Sequence, residues 1–159
     1  MYKATREFIK ARQPHAKMEL KVVTVKQVGG GQANNCSDNA IDNAESMDEV
    51  RSVTGWLVHP FNPITNTTEI IQHWWNIDMN GNHFDTSPDA LGVKCDYVLD
   101  FDLYRYAYDN YDEIESIVAC SLILKDDAYT AALADLDNIQ NVRYKAINSL
   151  DNKTLFTFF

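Results

Sequence analysis

Three residues have side chains that could work together as a nucleophilic site: Cys36, His73 and Asp85. A thiol attacks as its thiolate. A helix N-terminus favours that form through unpaired N–H groups and a partial positive charge. A nearby imidazole can hold the proton, and a carboxylate can fix the imidazole's tautomer. The same N–H groups can stabilise an oxyanion formed on an attacked carbonyl. Gln32, four residues before Cys36, offers a carboxamide for that oxyanion or is simply a polar loop residue. Asn39, Trp75 and His83 are further candidates for substrate or oxyanion contacts. Each of the three central residues also has a plainer role. Cys36 can pack under a helix, His73 can be a core histidine between tryptophans, and Asp85-Thr86-Ser87-Pro88 can be a turn. It is their order along the chain that points to a site.

The elements that must position them follow from pattern. Residues 2–12 read as a short helix, ended by Gln13-Pro14. Leu20 to Val28 is rich in β-branched residues and reads as a strand, stopped by Gly29-Gly30-Gly31. From Cys36, small or apolar residues recur at Ala40, Ile41, Ala44 and Met47, the spacing of one helix face. Asn34, Asn35 or Ser37 can cap that helix, and Asp38 suits its first turn. Val53 to Val58 and Glu69 to Ile77 read as strands, with a Pro60–Thr68 loop between them. Asn80-Gly81 signals a hairpin, and Asn82 to Asp85 begins the return. Ile117 to Leu124 reads as a strand, Asp126 or Asp127 caps a helix running through Ala131 to Leu136, and Leu155 to Phe159 reads as a last strand.

The hairpin register decides whether the three residues meet. A two-residue Asn80-Gly81 turn pairs Asn76 with Asp85 and puts His73 on the opposite face. A three-residue Asn80-Gly81-Asn82 loop pairs Ile77 with Asp85 and puts Asp85 on the face of His73 and Trp75. His83 shares a face with Asp85 in any register. His59, ending the preceding strand, is a third histidine to weigh. A metal site from His73, His83 and Asp85 lacks the spacing of a known ligand motif. No cofactor motif is present.

The stretch from His73 through Trp74-Trp75 and Asn80-Gly81 to Asp85-Thr86-Ser87-Pro88 resembles the signature of transglutaminase-like enzymes. With Cys36, Asn39 and Gly55-Trp56-Leu57 it resembles the papain-like and transglutaminase-like superfamily over roughly residues 28–88. The spacing from His73 to Asp85 is 12, shorter than is usual there. The resemblance implies an antiparallel sheet packed on a Cys-bearing helix. It also implies a hydrolase or acyltransferase acting on an amide, thioester or isopeptide bond, with a protein or peptide substrate. The Gly-Trp-Leu and His-Trp-Trp stretches also look like small uncharacterised early proteins of T4-type tailed phages, which implies action in the cytoplasm of an infected bacterium.

Composition bounds the rest. The 159 residues amount to one α+β domain, with a readable core of about 16–90 and an acidic, tyrosine-rich α/β extension of about 91–159. Acids outnumber bases 23 to 14, for a net charge of −9, which excludes an overall basic nucleic-acid binder. No secretory signal or membrane span is visible. Cys36, Cys95 and Cys120 form neither a disulfide framework nor a zinc knuckle, which fits a reduced cytoplasmic protein. The second half supports another expectation. Asp100, Asp102, Tyr104, Tyr106 and Asp109 could present a surface that occupies a basic site on a host protein.

Overall fold

Aromatic and β-branched runs pair into one mixed sheet, and the order of its strands explains its shape. The computed structural model describes residues 1–13, 16–64, 67–89, 92–109 and 121–125. Among them are β1 (Leu20–Val23), β2 (Val25–Gln27), β3 (Val50–Val58), β4 (Thr67–Asp78), β5 (His83–Asp85), β6 (Asp96–Asp100) and β7 (Ser121–Lys125). The helices are α1 (Lys3–Arg12), α2 (Cys36–Ser46) and α3 (Phe101–Asp109). The sheet runs β1-β6-β3-β4-β5-β2, and β7 pairs with β4 off that path. β1 and β2 therefore lie at opposite ends of the path. Thr24 alone separates them in the chain. The two ends must come together, so the sheet is curled.

This geometry corrects the single strand expected over Leu20–Val28. Its first part pairs antiparallel with β6 and its second part pairs parallel with β5. The parallel pair makes the sheet mixed where an antiparallel one was expected. Residue pattern could not reveal the split, because both halves carry the same β-branched texture. The acidic second half also enters the sheet. β6 lies between β1 and β3, and its register with β3 sets Gly55 opposite Leu99. Residues 96–100 are thus an interior strand of the core. Cys120 and the segments expected over 117–120, 127–136 and 155–159 lie outside the described residues.

The two faces of β4 have different work. Trp74 packs with Ala40 and Cys36 of α2, and the Asn76 carboxamide donates to the Ala40 carbonyl at 2.8 Å. Trp75, on the other face, is fully buried with Val53 and Leu99. Trp56 of β3 meets Phe8 of α1 edge-on, with ring centroids 5.8 Å apart. Helices are few, and they hold the sheet through these aromatic contacts.

Gly55 is where this packing is tightest. A Cβ there would land on the Val98 carbonyl oxygen and 2.8 Å from the Trp75 ring. Neither the neighbouring backbone nor the buried indole has room to move. Gly55→Ala is expected to cost at least about 2 kcal/mol, as overpacking of a tight interior does. Urea unfolding of the two proteins measures it, and an unchanged midpoint would contradict the packing described.

Candidate active site

The hairpin joining β4 to β5 sets the face of Asp85. Asn76 lies opposite Phe84 and Ile77 opposite His83. The loop is Met79-Asn80-Gly81, one residue earlier than the three-residue loop considered from sequence. Its closure comes from Asp78, whose Oδ1 accepts the Asn80 and Asn82 N–H groups at 2.9 and 2.8 Å. By the same register Asp85 falls opposite Trp75, on the face that also carries His73. His73 Nε2 then lies 2.6 Å from Asp85 Oδ2. The His73 ring stacks near Trp75, with centroids 6.4 Å apart and planes 16° from parallel.

Cys36 reaches the same imidazole by another route. The backbone after Gln27 stays beside β5: Val28 N–H donates to the Asp85 carbonyl and Gly31 N–H to that of Thr86, both at 2.9 Å. The loop then turns into α2, with Cys36 as its first residue. Along one edge of β4, β7 pairs with residues 67–71 and β5 with 76–77. Between them the edge of β4 has no strand partner among the described residues. Cys36 sits there. The His73 ring and the Trp74 backbone N–H both lie near enough to act on its thiol.

Electrostatics follow from these contacts. Burial alone would raise the Cys36 thiol, but the bond and charge of His73 and the Trp74 N–H together bring it below its ordinary 9.0. Burial would lower His73, yet its bonds to Asp85 and Cys36 and their charges raise it to about 9. Burial acts against the Asp85 carboxylate too, and His73, the Tyr97 hydroxyl and the Ser87 N–H outweigh it. These contacts favour a thiolate beside an imidazolium more than the free groups would.

The remaining sequence candidates have other partners. Asn39 is buried and grips the Gln32 backbone from both sides, accepting from its N–H and donating to its carbonyl at 2.8 Å each. A Cβ on Gly31 would come within 2.6 Å of that carboxamide, so the loop needs glycine there. The Gln32 side chain accepts from Asn35 at 3.2 Å. Both residues are thus engaged in shaping the loop. Asn35 stands at the N-cap position, but its side chain makes no capping bond. His83 Nδ1 accepts the Trp75 indole N–H at 3.0 Å, and burial and Lys21 hold it below its ordinary pKa. His59 has Glu69 and Asp89 as its charged neighbours. Among the described residues, no group of three His, Cys, Asp or Glu could hold a metal ion.

The acidic surface expected in the second half needs correction at Asp100. Asp100 is buried: it accepts the Trp56 indole N–H at 2.8 Å, pairs with Arg12 at 3.6 Å and caps α3 through the Leu103 N–H. Asp102 holds Arg12 at 3.4 Å and the Lys17 N–H at 3.0 Å. Both face Arg12, because α1 brings its arginine against α3. Tyr104 packs on the Val53-Trp75-Leu99 cluster. Tyr106 and Asp109 belong to α3 by backbone, and their side chains lie outside the described residues.

Sequence reasoning missed Tyr97 and Gln27, which both bond Asp85. No local signal marks them, since Gln27 lies opposite Asp85 only through the parallel β2–β5 pair and β6 comes near only through the curl of the sheet. No protein-family model, curated protein or solved structure matches the chain.

The sign of one change is fixed by these contacts. His73→Ala removes the two strongest influences that lower the Cys36 thiol and leaves the burial that raises it. The ultraviolet thiolate absorbance of Cys36 is expected to titrate below the ordinary thiol pKa in the wild type and at higher pH in the variant. Coincident titration curves would contradict the contact.

Proposed function

We propose that the chain is a cysteine-nucleophile hydrolase or acyltransferase acting on an amide, thioester or isopeptide bond. The observation that carries this reading is a single imidazole held between two partners. His73 bonds Asp85 through Nε2 and lies within bonding reach of Cys36 at the head of a helix. The arrangement supports kinship with the papain-like and transglutaminase-like enzymes, in which the resemblance of residues 28–88 places the same three roles.

The steps follow from the groups present. The Cys36 thiolate attacks the carbonyl carbon, and its electron pair forms the new C–S bond. The carbonyl π pair moves to oxygen, next to the first N–H groups of α2. The pair returns, the bond to the leaving group breaks, and the His73 imidazolium gives that group its proton. A thioester to Cys36 remains. Water or an amine then attacks it while neutral His73 takes the attacker's proton, and the thiolate departs. Asp85 holds the ring in one tautomer throughout.

The cavity suggests what enters. It measures about 1210 Å³ and is lined by Cys36, His73 and Asp85 together with Leu57, Ile71 and Glu69. Burial, Asp89, Glu69 and Asp96 push the Cys95 thiol in the same cavity up to about 12. Such a field favours a neutral or basic peptide over an acidic one. The phage resemblance would set this chemistry in the cytoplasm. No helix among the described residues is long and apolar enough to cross a membrane.

Iodoacetamide labelling with peptide mapping tests the reading. At neutral pH Cys36 is expected to react about 100-fold faster than Cys95, as a thiolate does beside a protonated thiol. His73→Ala is expected to abolish most of that advantage. Equal rates at Cys36, Cys95 and Cys120 would overturn the proposal.

A further inference from the structure

Asp85 receives more hydrogen bonds than an orienting carboxylate needs. Oδ2 lies 2.6 Å from His73 Nε2 and also accepts the Tyr97 hydroxyl at 2.8 Å and the Gln27 carboxamide at 3.2 Å. Oδ1 accepts the Ser87 N–H at 2.8 Å. Gln27 donates to the Tyr97 oxygen as well, at 2.5 Å. The phenol can therefore accept from Gln27 while it donates to Asp85. These donors come from β2 and β6, which are not neighbours in the sheet. Gln27, Asp85 and Tyr97 line the same cavity as Cys36 and His73.

We propose that Tyr97 and Gln27 are positioning residues that act through Asp85, fixing its carboxylate and sharing out the charge on the oxygen that faces His73. The inference rests on the cysteine-nucleophile reading for its purpose, though not for its measurement. An oxygen with three donors divides its charge among them. Its hold on the imidazolium is then weaker than that of a carboxylate bonded to His73 alone. Tyr97 and Gln27 thus keep His73 acidic enough to release its proton to a leaving group, while the same bonds prevent Asp85 from turning away. The titratable groups around the His73 ring are Cys36 from α2, Asp85 from β5 and Tyr97 from β6. Trp75 of β4 separates it from His83. Burial and Asp85 keep Tyr97 protonated well above its ordinary pKa, so it stays a donor across the working range.

Tyr97→Phe isolates the hydroxyl. The ring contacts, 5.9 Å to His73 and 5.4 Å to Trp75 between centroids, remain available to phenylalanine. A purely structural tyrosine would therefore be replaced without effect on His73. The experiment follows the His73 ring nitrogens by NMR across a pH titration, in the full chain and again in a Cys36→Ser background. Tyr97→Phe is expected to raise the His73 midpoint by about half a unit or more, since one unit is 1.36 kcal/mol and a hydrogen bond to a charged group is worth at least that. Gln27→Met is expected to move it the same way by less, in keeping with its longer bond. An unchanged or lowered midpoint in Tyr97→Phe, with the fold intact by melting temperature, would overturn the proposal. A raised midpoint alongside an unreactive Cys36 would uphold the Asp85 clamp and count against the nucleophile reading alone.

Discussion

The bond between His73 and Asp85 is the contact on which the rest of this arrangement depends. It exists because the loop after β4 has an odd number of residues. An even loop would have sent Asp85 to the face of Trp74, where α2 packs. Asp78 secures the odd loop by accepting two backbone N–H groups within it. The bond also needs the sheet to curl. Tyr97 reaches Asp85 from β6, across the join of two strands that the sheet order holds apart. Local turn chemistry sets the face, and global topology brings the Tyr97 and Gln27 donors to Asp85.

The energetic cost of this assembly is considerable. Two groups that favour negative charge, Cys36 and Asp85, flank one buried imidazolium. Desolvation penalises all three, and breaking such a set by removing one member leaves uncompensated charge. The Ser87 and Trp74 N–H groups, the Tyr97 hydroxyl and the Gln27 carboxamide offset part of that cost. An apolar core of the same shape would need none of these donors. Groups perturbed in opposite directions within one cavity are the kind of feature that accompanies chemistry. That is why the geometry, and not the fold, supports the enzymatic reading.

Sequence made part of this legible. The start of α2 at Cys36 could be read because small residues recur at helical spacing behind it. The dependence of the site on loop parity could also be stated, since strand alternation is strict. The loop position itself was missed: Asn80-Gly81 drew attention, while Asp78, the residue that closes the turn, is equally a turn former. β6 escaped because Val98 and Leu99 are both buried, as an interior strand with both faces covered requires, and flanking acids disguise so short a run. Tyr97 and Gln27 escaped for a different reason. Their roles depend on which strands the curl brings together, and nothing within a few residues of either records that.

The acidic residues of the second half show how composition misleads when read as surface. Asp96 accepts the Tyr2 N–H and the Thr5 hydroxyl at 2.5 and 2.6 Å. Asp100 and Asp102 share Arg12, and each also accepts backbone N–H groups. Three carboxylates that add to the net charge of −9 therefore fasten α1 to β6 and α3. A partner cannot use a charge that a buried guanidinium already faces, because exchanging partners would leave Arg12 uncompensated in the interior. Glu69, Asp89 and Asp96 also reach inward, where their field acts on Cys95 in the cavity that holds Cys36. Part of the excess acid is thus directed inward, on α1 and on the cavity, and not on an outer face.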